Sequence, residues 1–398
     1  MRTWLASLTG IALLLGTVRA DASALSRART REGYALAYDL QFAACYAALE
    51  QAAAADPLDP APPRAMAAVT WIEILFSQGV ATFEAFTGEL SQSDVARPAV
   101  PPSLTERFRI RIAQARTLAA QQLLRIDDAD AQYQSGATDA LAALYGATVE
   151  GRVLGSFTQG RRAVAAMERA RTRDPGKHEA ALVLGMSQYT VSTMSWPVRM
   201  LAKLSGLSGS REAGLALLEE AAAPGADTQS DALMLLMIVD NREGRHQDAI
   251  TRLKHLQDRH AGNRLLWLNH GAAALSAGRP LEAEQALSAG MAGHPLNAAP
   301  TVLGETALWF SHRGTALVRL HRRADAIVDL QRGLSSDPRD WVRGRLHIQL
   351  GDLALETGDR PLARREYRTA IEASDRGGDR EAAKDTKRKL NALGREPA

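Results

Sequence analysis

Histidine, cysteine and clustered aspartate are the residues of this sequence that could bind a metal ion or attack a substrate. Eight of the nine histidines follow residue 240, but they show no repeated spacing of metal ligands, so we expect structural or solvated histidines. Asp127, Asp128 and Asp130 form a local acidic cluster that lacks the well-spaced oxygen ligands of a calcium loop. Cys45 is the only cysteine, and we expect it to fill space in a core. The sequence therefore predicts no metal ion, no cofactor and no catalytic residue.

The motifs that carry well-known catalytic chemistry are also absent from the sequence. It contains no His-Glu-x-x-His, no paired-cysteine motif, no glycine-rich phosphate loop, no Gly-x-Ser-x-Gly and no EF-hand loop. A single cysteine also excludes a disulfide framework. We predict that this chain of 398 residues is not an enzyme.

The elements that would position any site are predicted to be helices. The chain is 46% hydrophobic but only 5% aromatic, and its heavy use of Ala and Leu leaves little material for β-sheets. Lys and Arg total 48 against 45 Asp and Glu, which gives a formal net charge of +3, and no block of like charge occurs. Nucleic acid is therefore not a predicted partner.

Residues 1–20 have the pattern of a cleavable signal peptide. Arg2 precedes an apolar stretch from Leu5 to Val18, and Ala20 ends a short segment of small or tolerated residues. The stretch is shorter than the ~20 apolar residues that span a bilayer. We predict cleavage after Ala20 and an exported protein, periplasmic or secreted, with no membrane contact beyond export.

Small and large residues recur at fixed offsets along the chain. After Gly271, Ala283 follows at +12, Leu287 at +16, Gly290 at +19 and Pro295 at +24. Small residues let two helices cross closely, a large residue fills the space between neighbouring hairpins, and proline ends the second helix. Equivalent series begin at Gly33, Gly151, Met237, Gly314 and Gly351.

These marks resemble those of the tetratricopeptide repeat (TPR) family, whose unit of about 34 residues is a helix, a turn and a helix. Gly151 to Gly185 and Met237 to Gly271 are each separated by 34 residues. The resemblance covers nearly all of residues 21–398 and implies an all-α, TPR-type solenoid of helical hairpins, wound as a right-handed superhelix of about eight repeats. The predicted repeats span 26–59, 64–127, 144–175, 178–222, 230–261, 264–295, 307–338 and 344–375, with a capping helix over 379–393.

The second and fourth repeats are irregular. In the second, a proline-rich loop at 96–103 separates a long apolar helix at 65–86 from its partner helix. In the fourth, an insertion over 190–209 separates the two helices.

The insertion of the fourth repeat has one apolar side, formed by Val198, Leu201 and Leu204. We expect this side to pack on the solenoid. The alternative is an exposed patch that binds a partner or touches a membrane, although Arg199 and Lys203 alone predict feeble membrane binding.

The same region is similar to a segment of uncharacterised exported bacterial TPR proteins. The similarity rests on Leu184-Gly185, Tyr189, Trp196-Pro197 and the turn Gly209-Ser210-Arg211-Glu212. That group tends to have aspartate where this chain has Ser210, and serine can still cap a helix N-terminus. The resemblance supports the fold and implies no activity.

The function is predicted from the surface that stacked hairpins form. The first helices line a concave face on which solenoids hold peptides or partner proteins. We call the residue that begins each series the first mark, and we expect the positions about one and four residues after it to lie on this face. Arginines on this face could bind a peptide carboxylate bidentately. We predict a non-catalytic interaction scaffold or adaptor of the cell envelope; the alternative is an enzyme or solute-binding protein with a site at the irregular second or fourth repeat. The residues predicted to contact the partner are Arg152, Met186, Tyr189, Asn241, Arg242, Val318, Arg319 and Asp352.

Overall fold

The computed structural model of the protein describes residues 23–80, 97–293 and 302–394. Within these ranges the regular elements are α-helices and no β-strand occurs, so the predicted all-α class is confirmed. The predicted signal peptide lies outside the described residues. In chain order the helices are α1 (23–38), α2 (Phe42–Ala55), α3 (Ala61–Ser77), α4 (Pro102–Arg125), α5 (Ala129–Thr148), α6 (Val153–Arg173), α7 (His178–Ser192), α8 (Trp196–Leu204), α9 (Arg211–Ala221), α10 (Gln229–Arg242), α11 (His246–Arg259), α12 (Arg264–Ser276), α13 (Pro280–Gly293), α14 (Glu305–Arg319), α15 (Arg323–Leu334), α16 (Asp340–Glu356), α17 (Arg360–Gly377) and α18 (Arg380–Ala392).

From α12 to α17, successive helices pair into hairpins, and each of these hairpins packs on the next. Helix α12 packs on α13, α14 on α15 and α16 on α17. The first helices also pack on one another, α12 on α14 and α14 on α16, and each second helix contacts the first helix of the following hairpin. This connectivity is that of a helical-hairpin solenoid and confirms the predicted fold class.

The contacts of the chain divide it into two compact units. The first comprises Met1–Ile74 and Pro101–Leu235, and the second comprises Leu75–Val100 and Leu236–Ala398. Each unit therefore contains two stretches of the chain, because the three boundaries fall within α3, just before α4 and within α10.

The offset of 16 residues in the repeats corresponds to a direct contact between the two helices of one hairpin. A Cβ atom added to Gly271 would lie 2.4 Å from Cγ of Leu287, so the large side chain occupies the space that a larger residue at the first mark would need. The sequence predicts this large residue between neighbouring hairpins, whereas the structure packs it on the glycine of its own hairpin. The equivalent distances are 2.7 Å for Gly33 and Leu49, 2.8 Å for Gly314 and Leu330, and 2.6 Å for Gly351 and Tyr367.

The predicted start of the third repeat, at residue 144, is wrong. Gly151 has a left-handed φ of +67° in the loop between α5 and α6, and a Cβ atom there would meet nothing within 4 Å. The helices of this hairpin cross instead at Gly136, whose added Cβ would lie 3.0 Å from Cβ of Ala166 and 3.1 Å from the carbonyl oxygen of Ala163. The glycine pattern was misread because a turn glycine and a crossing glycine are the same residue type.

The predicted long helix of the second repeat is shorter in the structure than in the sequence analysis. Helix α3 ends at Ser77 rather than at residue 86. Residues 81–96 lie outside the described residues. Helix α4 then begins at Pro102, where proline suits the first turn because that turn needs no amide donor.

Cys45 is fully buried in the first unit, as predicted. It packs with Leu49, Met66 and Val69 in a core cluster that joins α2 to α3. Burial, followed by the negative charge of Glu73, raises the pKa of the thiol to about 11. Cys45 is therefore a space-filling residue with little thiolate at neutral pH.

The insertion in the fourth repeat is partly packed and partly exposed. Val198 and Ala202 of α8 lie against an apolar cluster that includes Phe157, whereas Leu201 is 45% exposed and Leu204 is 81% exposed. The prediction that Val198, Leu201 and Leu204 share a buried side is therefore wrong for both leucines. The buried face of α8 is formed by Val198 and Ala202, which are four residues apart. Ala202 is small and therefore lets α8 lie close to its neighbours.

Hydrogen bonds to the carboxylate of Glu282 link three helices of the second unit. Its carboxylate accepts hydrogen bonds from Nζ of Lys254 at 3.0 Å, from Nε2 of His270 at 3.3 Å and from Nη1 of Arg279 at 3.3 Å. Burial alone would raise the pKa of this carboxyl, but the three hydrogen bonds outweigh burial and lower the pKa to about 2.

We expect the contribution of Glu282 to stability to be lost in acid. A carboxyl whose pKa falls from its ordinary 4.5 to about 2 on folding stabilises the folded state above pH 4.5, and this gain disappears as the pH falls through 2. The gap in urea midpoint between the wild type and Glu282→Gln should narrow by about half between pH 6 and pH 3. A gap that is the same at both pH values would contradict the pKa shift.

Candidate ligand-binding site

Three tyrosines, one arginine and one aspartate from four helices meet in the first unit. Tyr34 and Tyr38 lie on α1, Arg64 lies in the first turn of α3, Tyr133 lies on α5, and Asp231 lies in the first turn of α10. We call these five residues the tyrosine–arginine cluster. All five side chains are half-buried, so each combines extensive protein contact with access to solvent.

The local sequence places these side chains. Tyr34 and Tyr38 are four residues apart and therefore share one face of α1. Arg64 directly follows Pro62-Pro63, which hold fixed backbone angles at the start of α3. Helix α5 is fixed at its start by Asp128, whose carboxylate accepts a hydrogen bond from the amide of Ala131.

Arg64 is the one full cationic charge of the cluster, and it contacts neutral groups. Its Nε and Nη2 donate to Oε1 of Gln134 at 3.3 and 3.2 Å, and Nη1 lies 3.5 Å from the hydroxyl oxygen of Tyr34. The guanidinium carbon lies 5.6 Å from the ring centroid of Tyr133, a cation–π distance. Within the described part of the chain Arg64 forms no ion pair, and Asp59, Asp130 and Asp231 act on it only at longer range.

The tyrosines of the cluster are neutral hydrogen-bond donors. Burial raises the pKa of Tyr34, Tyr38 and Tyr133 above the ordinary value of 10. The hydroxyl of Tyr38 donates to Oδ1 of Asp231. Burial raises the pKa of the Asp231 carboxyl, while the hydrogen bond from Tyr38 and the charge of Arg64 oppose that rise.

Lys177, at the start of α7, extends the positive charge beside the cluster. Its Nζ lies 5.1 Å from the ring centroid of Tyr133, so this ring interacts with two cations. Lys177 is already paired with Asp130 at 3.1 Å. Arg64 therefore remains the cation whose charge lacks a carboxylate partner among the described residues.

This arrangement is suited to binding rather than to bond breaking. An arginine fork, phenolic donors and aromatic walls recognise a planar anion such as a carboxylate. The cluster contains no serine, cysteine or histidine that a neighbouring base could activate. In the described ranges no group of three or more His, Cys, Asp or Glu side chains could hold a metal ion.

The eight partner-contacting residues predicted from the sequence are divided between the two units. Of the three in the first unit, Arg152 lies in the α5–α6 loop and pairs with Glu150, rather than lying on a first helix. Met186 is half-buried on α7. Tyr189 is buried, and an added Cβ on Gly214 of α9 would lie 2.7 Å from its amide nitrogen.

Four of the five predicted residues in the second unit have structural roles or are partly covered. Asn241 is buried and donates to the carbonyl of Met237 at 3.1 Å, and Val318 is half-buried. Arg319 donates to the carbonyl of Leu275 at 2.6 Å and so closes the end of α12. Asp352 accepts hydrogen bonds from Tyr367 at 2.6 Å and from Nζ of Lys389 in α18 at 2.7 and 2.6 Å.

Arg242, at the end of α10, is exposed and makes no ion pair with the rest of the described chain. Tyr189 and Asn241 are buried because each lies four positions after the small or first residue of its repeat, Gly185 or Met237, on the face that meets the second helix. The tyrosine–arginine cluster was not predicted from the sequence, although two of its members lie near expected positions. Tyr34 and Tyr38 follow the first mark Gly33 by one and five residues, close to the offsets expected for the concave face. Arg64 lies just before the predicted start of its helix.

No family model and no curated protein matches this chain. Among solved structures, the human IFIT1 dimer with PPP-AAAA has 13% sequence identity and a TM-score of 0.42, with 93% of this chain and 73% of that chain covered. Yeast Tom70 has 11% identity and a TM-score of 0.40, with 93% and 83% covered, and a tetratricopeptide repeat protein from Parabacteroides merdae has 10% identity and a TM-score of 0.33, with 81% and 98% covered.

The class of the protein follows from its own helices. Paired helices, glycine crossings at a 16-residue offset and packing of each hairpin on the next define a TPR-type helical-hairpin solenoid. In the described ranges no helix combines the length and the apolar character needed to cross a bilayer.

Proposed function

We propose that this protein is a non-catalytic scaffold that binds a peptide segment of a partner protein, with Arg64 binding a carboxylate of that segment. The observation that carries the proposal is the half-buried Arg64, whose guanidinium is held by Gln134 and Tyr133 without a carboxylate partner among the described residues. A guanidinium withdrawn from bulk water, whose nearest carboxylates act on it only at longer range, gains from an anionic ligand that pairs with it directly.

The neighbours of Arg64 favour a peptide over a free inorganic anion. Tyr34 and Tyr133 offer aromatic surface beside the guanidinium, and such surface packs against side chains of an extended peptide. Asp231 offers an acceptor for a backbone amide in the same cluster. A carboxylate and an amide of one peptide chain would therefore both find partners.

The insertion of the fourth repeat gives no support to an enzymatic site. The described residues around α8 form an apolar cluster of Phe157, Val191, Ala202 and Leu207, without converging carboxylates or histidines. Solenoids that present open surfaces generally hold partners rather than transform substrates.

We also propose that the protein acts in the cell envelope after removal of residues 1–20. The support is the signal-peptide pattern of the sequence. N-terminal sequencing of the protein recovered from a periplasmic or secreted fraction should begin at Asp21. Recovery of the intact N-terminus from the cytoplasm would contradict this assignment.

Arg64→Gln should weaken peptide binding at least about tenfold, because a charge-assisted hydrogen bond to a carboxylate contributes roughly 1.5–3 kcal/mol. The probe is the tightest binder from a fluorescein-labelled octapeptide library with free C-terminal carboxylates, measured by fluorescence polarisation. The matched control is Arg242→Gln, which removes an exposed arginine without an ion pair among the described residues and should leave the affinity unchanged. Equal losses in both variants, or no binder in the library, would contradict the assignment of the site.

A further inference from the structure

Helix α8 carries an exposed apolar face that the rest of the described chain leaves uncovered. Trp196 is 67% exposed, Met200 is 40% exposed, Leu201 is 45% exposed and Leu204 is 81% exposed. Trp196, Met200 and Leu204 follow one another at intervals of four residues, so they form one stripe along the helix. We call these four residues the α8 patch.

The patch is held in place from beneath. Val198 and Ala202 fix the opposite side of α8 to the cluster of Phe157 and Val191, and Leu207 closes the same cluster after the helix ends. Nη1 of Arg199 donates to the carbonyl of Ser192 at 3.1 Å. The exposed side chains are therefore presented by an anchored helix rather than by a loose segment.

The surroundings of the patch are positively charged. Residues 180–210 contain no Asp or Glu and include Arg199 and Lys203, whereas the next residue, Arg211, is paired with Glu212 at 3.9 Å. The stem of Arg161, on α6, reaches the same end of α8, since an added Cβ on Gly206 would lie 3.3 Å from its Cδ. The structure therefore adds Arg161 to the two basic residues of α8, at the C-terminal end of that helix.

We propose that the α8 patch docks the protein onto the surface of an anionic phospholipid bilayer. Tryptophan and aliphatic side chains on one face, with arginine and lysine at their flanks, suit a helix that lies in the membrane interface. Basic residues next to such a face gain from anionic lipid headgroups. A second copy of the chain is a poorer occupant, because a symmetric contact would bring the same basic rim against itself.

The contrast with another exposed leucine of the same unit supports this choice. Leu124, at the end of α4, is 89% exposed, but Asp127, Asp128 and Asp130 follow it within six residues. Asp127 and Asp130 neutralise nearby basic residues, since they pair with Arg173 and Lys177, so this region offers an anionic surface no excess of positive charge. Leu124 is therefore a matched control for Leu204.

The test places a fluorescent probe on the patch of the full chain. The environment-sensitive dye NBD is attached to Leu204→Cys, and to Leu124→Cys in the control; Cys45 is fully buried and should not be labelled in the folded protein. Each protein is mixed with vesicles of phosphatidylcholine alone and with vesicles of equal parts phosphatidylcholine and phosphatidylglycerol. Residues 1–22 are the same in every variant, so differences between variants report on the patch.

We expect NBD at residue 204 to brighten at least twofold and to shift to the blue on the anionic vesicles only. This signal should be lost in the Arg199→Glu/Lys203→Glu background, and it should persist in Arg242→Glu/Arg332→Glu, which changes the total charge equally at exposed residues of the second unit. An unchanged spectrum at 204, or equal changes at 204 and 124, would overturn the proposal and leave the patch to a protein partner with an acidic rim.

Discussion

Gly377→Ala is expected to lower the free energy of unfolding by about 3 kcal/mol, at the upper end of the usual cost of overpacking. Gly377 is the last residue of α17, and an added Cβ would lie 2.3 Å from the amide nitrogen of Trp341 and 2.8 Å from its Cα. These atoms belong to the backbone of α16, so no side-chain rotation relieves the clash. The two helices of this hairpin would have to separate at a point where Trp341 is buried.

The measurement is urea unfolding of the wild type and the variant, followed by far-UV circular dichroism. The matched control is Gly155→Ala in α6, where the nearest atom to an added Cβ is Cβ of Arg152, at an ordinary 3.7 Å. This control should be neutral or stabilising by up to about 1 kcal/mol, because alanine favours a helix over glycine. Equal destabilisation by both substitutions would show that the close approach at Gly377 is not the cause.

Glu305→Gln is expected to cost a similar amount, about 3 kcal/mol, because it removes one charge of a buried ion pair. Glu305 is 2% exposed, and its carboxylate accepts hydrogen bonds from Nε and Nη2 of Arg264 and from Nε1 of Trp309. Arg264 is only 13% exposed, so its guanidinium would lose that carboxylate without gaining comparable hydration. Glutamine keeps the size of the side chain and therefore isolates the loss of charge.

A double-mutant cycle with Arg264→Met separates the ion pair from general packing effects. If the pair couples α12 to α14, the double variant should lose clearly less stability than the sum of the two single variants. Strict additivity of the three urea-derived free energies would contradict the coupling.

The parts of the fold that depend on close helix crossing were predictable from the sequence. Gly271 with Leu287 and Gly351 with Tyr367 recur at one offset because each glycine must admit the large residue of its own hairpin. A glycine is also favoured in a turn that needs a positive φ. For this reason Gly151, which lies in a turn, was mistaken for a glycine at a helix crossing. The spacing of glycines therefore predicts a helix crossing only where a turn glycine can be excluded.

The candidate site was harder to predict, because its members come from helices far apart in the chain. Tyr38 and Asp231 are separated by 193 residues, and no local pattern links them. The sequence analysis favoured arginines near the repeat marks, and it selected Arg319, which closes the end of a neighbouring helix. What distinguishes Arg64 is a half-buried guanidinium without an ion pair among the described residues, and only the three-dimensional arrangement shows this.

The most direct test of the proposed function measures the energetic coupling between Arg64 and a carboxylate of the bound peptide. The affinity of the selected octapeptide is compared with that of versions in which each carboxylate in turn is made neutral, by C-terminal amidation or by Asn or Gln substitution. At least one neutralisation should cost the wild type about tenfold or more in affinity and cost Arg64→Gln almost nothing, since the two groups act as one pair. If every neutralisation costs both proteins the same factor, Arg64 does not bind the carboxylate and the proposed site is wrong.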